Sequence, residues 1–133
     1  MKKEQFVTAG RSCIAYCYEK PHFLLIQPVD DNDLASLDEE VHIIETSVDK
    51  TFALVAFKVN SWNEELSPWD APPVFGKEGF GHGAKDTLTF VTDFLIPEAK
   101  ARLEIDGDIP IIIGGYSLVA FFALWSAYQT SCF

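Results

Sequence analysis

The sequence predicts an α/β fold: one domain over residues 1–133, with helices in a three-layer αβα arrangement around a mostly parallel sheet. Three observations predict it. Short apolar or β-branched runs alternate with longer amphipathic ones in the order strand, helix, strand, helix, strand, helix, which calls for parallel βαβ units. The run Phe23–Gln27, ended by Pro28, has the near-continuous apolarity of a strand buried on both faces. A length of 133 residues with 48% hydrophobic and 14% aromatic content gives one folded core rather than a disordered chain.

Taken in order, residues 1–22 are the least patterned. Ser12–Tyr18 reads as a strand and Glu19-Lys20-Pro21-His22 as a turn. After Phe23–Gln27, the acids Asp30-Asp31-Asn32-Asp33 could form a metal site, but their spacing suits a helix start, with Asn32 or Asp33 as cap. The helix then runs from about Leu34 to Ile44. Leu34, Leu37, Val41 and Ile44 fall on one face, and His42 lies beside that stripe. Thr51–Val59 is the next strand. Asn60 to Gly83 is a long loop, and loops of this length inside a compact domain usually carry function or pass over a site. Its Trp62, Trp69, Phe75 and Phe80 either line an acyl or aromatic pocket or anchor the loop. His82, between Gly81 and Gly83, is the most site-like histidine. Ala84–Ile96 reads as a helix, with Leu88, Val91 and Leu95 on one face, Phe90 and Phe94 widening it, and Pro97 marking its end. Asp106-Gly107 signals a turn.

The segment Ile109–Trp125 organises the rest. A buried β-branched strand is stopped by Gly114-Gly115, and a buried helix follows at Leu118. Between them, Gly115-Tyr116-Ser117-Leu118-Val119 approximates G-x-S-x-G, the nucleophile elbow of serine hydrolases. A serine on such a turn presents its Oγ above the sheet. The helix starting there directs free N–H groups at developing negative charge. The last position departs from the pattern, with the β-branched Val119 where a small residue is expected. The other reading is a βα turn with an incidental serine.

Bulk properties exclude several classes. A net charge of −10 argues against nucleic-acid and anionic-membrane binding, since both need basic patches. No apolar run reaches the roughly 18 residues of a membrane span, and Met1-Lys2-Lys3-Glu4-Gln5 opens no leader, so a cytoplasmic location is expected. Cys13, Cys17 and Cys132 form no disulfide framework. Cys13 and Cys17, four apart on a strand, stand roughly 13 Å apart at about 3.3 Å per residue, too far to bridge. A zinc site would need further ligands, His22 being the nearest. Neither a metal nor a cofactor is expected.

Three stretches together resemble the bacterial α/β-hydrolase-fold esterases: Leu24-Leu25-Ile26-Gln27-Pro28-Val29-Asp30-Asp31, Leu66–Gly76, and Gly114-Gly115-Tyr116-Ser117-Leu118. The resemblance covers nearly the whole chain but only the N-terminal portion of the family. It implies that Ser117 is the nucleophile, and that the Leu118 amide is one oxyanion donor. The second donor comes from the loop after Phe23–Gln27. Val29 is the better candidate there, because Pro28 has no N–H. The family's acid and histidine follow the serine, yet the sixteen residues after Ser117 contain no Asp, Glu or His. His22, His42 and His82 all precede it. The expectation is a truncated, weakly active or inactive serine esterase for small esters, with His82 in a rearranged triad as one route to activity. The alternative is a non-catalytic α/β module. Trp62, Trp69 and His82 are the candidate pocket residues. The apolar residues around the last helix, with an open sheet edge at Ile109–Ile113, predict a homodimer.

Overall fold

Two antiparallel and two parallel strand pairs make up the sheet of the computed structural model, which describes residues 1–133. The strands are β1 (Lys2–Thr8), β2 (Arg11–Cys17), β3 (Leu24–Val29), β4 (Ala53–Lys58) and β5 (Ile111–Ile113), in spatial order β1-β2-β4-β3-β5. The sheet is therefore mixed, not mostly parallel. The difference comes from the first two strands: β2 runs antiparallel to β4, and β1 forms a hairpin with β2. Thr8 faces Arg11 across Ala9 and Gly10, whose φ values of 46° and 78° suit a two-residue hairpin turn. Only Phe6 of β1 is buried, so this strand carries no apolar alternation.

β3 is the central parallel strand. Leu24, Ile26 and Val29 are buried on it. Pro28 is tolerated because its missing N–H faces β5 beyond the last β3–β5 contact, where Gly114 N–H donates to the Ile26 carbonyl at 3.2 Å. β5 pairs with β3 alone and is an edge, with Ile112 exposed. It is shorter and less buried than its isoleucine run predicts.

Helices are α1 (Asp31–Ser47), α2 (Trp62–Glu65), α3 (Ala84–Phe90), α4 (Ile96–Arg102) and α5 (Leu118–Gln129). Asp30 caps α1. Its carboxylate accepts from the Asp33 N–H at 2.8 Å, and the Asp33 carboxylate accepts from the Asp30 N–H at 3.2 Å. The acidic run is thus a helix start, three residues before Leu34. Leu37 and Val41 are buried on one sheet face, with Leu34 and Ile44 packed beside them.

α3 and α4 form one continuous path through the π-helical turn Val91–Leu95. Pro97 does not end the helix. Its ring would clash with the carbonyl four residues back in a regular helix. The wider turn, where Ile96 N–H reaches the Val91 carbonyl, lets the chain continue. The extra residue also turns Phe94 outward, to 49% exposure, away from the core that Val91 and Leu95 enter.

Two core clusters lie on the two sheet faces. Ile14, Tyr16, Leu54 and Ala56 pack with α1, whereas Cys13, Ala15, Val55 and Phe57 pack with α3, α4 and α5. Burial pushes the Cys13 thiol up to about 11. His22 Nδ1 pairs with the Thr51 hydroxyl at 2.9 Å. No helix is long and apolar enough to cross a membrane.

Candidate functional site

Parallel strands deliver their C-terminal ends to one edge of the sheet, and β3, β4 and β5 do so here. β3 leads into Asp30 and α1, β4 into Asn60 and α2, and β5 into Gly114 and the turn carrying Ser117. This is the edge at which open α/β sheets bind ligands.

Ser117 is exposed and is the residue preceding α5, with φ 54° and ψ −129°. A non-glycine residue at such angles costs on the order of 1–3 kcal/mol and persists only where its surroundings enforce it. Two contacts enforce it here. Val119 is buried beneath the turn, and its side chain occupies the space that a Cβ on Gly115 would need. Tyr116 donates its hydroxyl to Asp33 Oδ1 at 3.0 Å, tying the turn to the first turn of α1. That same hydrogen bond raises the Tyr116 phenol above its ordinary value.

Leu118 is the first residue of α5, and its N–H has no intrahelical carbonyl to meet. Val29 is placed differently. It is fully buried at the end of β3, its carbonyl accepts from Val59 N–H at 2.9 Å, and the parallel register with β4 directs its own N–H at Phe57. The Val29 amide is therefore part of the ladder, and the next amide, Asp30, is held by Asp33.

A cavity of about 650 Å³ opens beside Ser117 and Leu118, walled by Trp62, Phe75, Phe80 and Phe121. Its size lies within the range of small-molecule pockets. Trp62 enters it from α2, and its ring stands 6.4 Å from that of Tyr116. Trp69 lies outside the lining but meets Phe121 edge-on at 5.7 Å. Phe121, one turn beyond Ser117 on α5, was not signalled by the elbow motif, although its i+4 spacing places it on the serine's side of the helix.

Residues 69–83 form a strap over this edge. Ala71 and Phe80 exchange two backbone hydrogen bonds of 3.1 and 2.9 Å, and Gly76 turns at its tip with φ 65°. Asn63 Nδ2 donates to the Gly79 carbonyl at 3.3 Å. His82 closes the base of the strap, with Nδ1 2.8 Å from Asp70 Oδ1. The Asp70 hydrogen bond, then the charges of Asp70, Glu64 and Asp86, raise the His82 pKa above its ordinary value. His82 does not line the cavity. His42 pairs with Glu45 at 3.7 Å and His22 with Thr51, so each histidine is engaged away from Ser117.

Over 98% of its length this chain superposes on a siderophore hydrolase, EstA from Aspergillus nidulans, with a TM-score of 0.67 and 14% sequence identity. The fold is hydrolase-like. The chain spans 54% of that protein's length. An uncharacterised protein from Capnocytophaga ochracea matches 84% of this chain and 32% of its own, with a TM-score of 0.51 and 15% identity. At these identities the likeness is one of fold. No protein-family model matches the chain, and no curated protein does.

Proposed function

We propose that the chain is the serine-bearing part of an α/β-hydrolase-fold ester hydrolase, with Ser117 as nucleophile and the Leu118 amide as oxyanion donor. One observation carries this reading: Ser117 is held at φ 54° in the turn before α5, exposed at the mouth of a cavity. A strained serine facing solvent serves no packing purpose, whereas a nucleophile elbow needs that geometry. The likeness to a siderophore hydrolase supports hydrolytic chemistry on this fold. Val29 could serve as second donor only if its amide left the β4 ladder.

In the reaction, the Ser117 hydroxyl attacks the ester carbon and the Leu118 N–H receives the developing oxyanion at the positive end of α5. The hydroxyl proton needs a base, and no histidine stands against Ser117 in this chain. Turnover of a short-chain p-nitrophenyl ester is therefore expected at the residual level of oxyanion stabilisation, roughly 10³–10⁴ over water. A fluorophosphonate probe should label Ser117 slowly, and Ser117→Ala should abolish the labelling. Robust turnover lost in Ser117→Ala would instead assign a base within the chain, His82 first.

A second reading rests on a separate observation. Ile112 on the edge strand and Phe121, Leu124 and Tyr128 on α5 are exposed. Such a surface suits self-association as a two-fold dimer, with or without catalysis.

A further inference from the structure

The cavity beside Ser117 combines aromatic walls with an exposed aromatic side chain at its rim. Phe75 is 89% exposed, the highest value among the large hydrophobic residues of this chain. Nothing in the fold requires a phenylalanine there. The strap that presents it is nevertheless ordered by the Ala71–Phe80 pairing, the Asn63 contact to Gly79 and the His82–Asp70 bond. A strap pinned at Ala71, Gly79 and Phe80 that holds an aromatic ring in water beside a strained serine offers a face to something flat and apolar.

We infer that this cavity takes an uncharged ester carrying an aromatic ring, a step that rests on Ser117 being the nucleophile. Phe75 and Phe80 approach from the strap, Trp62 from α2 and Phe121 from α5, so the ring is met from three elements. Offset and edge-on arrangements between such rings are favoured by the aromatic quadrupole, a preference that an acetyl group cannot use. The charged lining residues are Lys77 and Glu78, one of each sign. Beyond the lining, Asp33 holds Tyr116, Glu64, Asp70 and Asp86 act on His82, and the chain as a whole carries a net charge of −10. That surplus of carboxylates disfavours an anionic substrate.

The test compares the rate at which Ser117 is labelled by two sulfonyl fluorides that differ only in bearing a phenylmethyl or a methyl group on sulfur. Fluoride is the leaving group in both: the Ser117 Oγ–S bond forms as the S–F bond breaks, and the hydroxyl proton passes to solvent water. The phenylmethyl reagent is expected to react about tenfold faster, and Phe75→Ala to remove most of that preference. Because Phe75 is exposed, this variant does not threaten folding. Equal rates for both reagents, or a preference unchanged in Phe75→Ala, would overturn the inference and leave Ser117 as nucleophile. Absence of labelling by either would instead remove the reading of Ser117. A second arm needs no reactivity: saturation transfer from Ser117→Ala protein to the ring protons of ethyl benzoate. Transfer that weakens in Ser117→Ala/Phe75→Ala supports the aromatic site, and no transfer at millimolar ester overturns it.

Discussion

The Val119 side chain stands where a β-carbon on Gly115 would have to be, so the turn before α5 is closed by two residues acting as a pair. The elbow pattern places a small residue two positions after the serine. Here bulk at that position is accommodated because position 115 has none. Gly115→Ala should cost about 1–3 kcal/mol by overpacking. In a Val119→Ala background the same change should cost measurably less, since residues in contact couple by about 0.5–3 kcal/mol. Urea unfolding of the four proteins in this cycle checks it, and strictly additive costs would refute the pairing.

Backbone strain at Ser117 makes a separate prediction. Glycine adopts φ 54° readily and alanine does not. Ser117→Gly should therefore be more stable than Ser117→Ala by about 1–3 kcal/mol, although both lose the hydroxyl. Equal denaturation midpoints would mean that the turn relaxes once the hydroxyl is gone.

The strap should respond to pH through His82. Its pKa is raised in the folded chain, chiefly by the Asp70 hydrogen bond. A raised folded value means that the contact contributes fully below the unfolded histidine value. The contribution is lost as pH rises through the folded value, which lies above the ordinary one. An NMR titration of the His82 ring should give a midpoint above the unfolded value, and Asp70→Asn should bring it down. A midpoint unmoved by Asp70→Asn would show that the pair does not form in solution.

Association is expected through the outer face of α5 and the edge of β5, where Phe121, Leu124, Tyr128 and Ile112 meet solvent. Net charge of −10 opposes it only weakly at physiological salt, where screening acts over about 8 Å. Light scattering behind size exclusion should report a dimer at micromolar concentration, and Leu124→Glu should shift it to monomer. Leu124 is 61% exposed, so that substitution leaves the core alone. A monomer for the unmodified chain would refute the proposal.

The sequence by itself determined the elements whose pattern is local. Leu34, Leu37, Val41 and Ile44 share one helix face because the 3.6-residue period places them there, and that face packs on the sheet. The isoleucine run, two glycines, serine and apolar helix likewise specified a strand-to-helix turn at Ser117, since glycine pairs and helix propensity act within a few residues. Tertiary structure decided what depends on neighbours distant in sequence. β1 buries only Phe6 and becomes a strand because β2 offers it a ladder, and β2 in turn runs antiparallel to β4, which makes the sheet mixed. Pro97 stays helical because the π turn before it moves the obstructing carbonyl, and that turn sends Phe94 to the surface. Val29 lost its free amide to the parallel register with β4, and His82 found Asp70 across the strap rather than Ser117. Period and propensity follow from adjacent residues, whereas register and side-chain partners follow from which strands lie side by side.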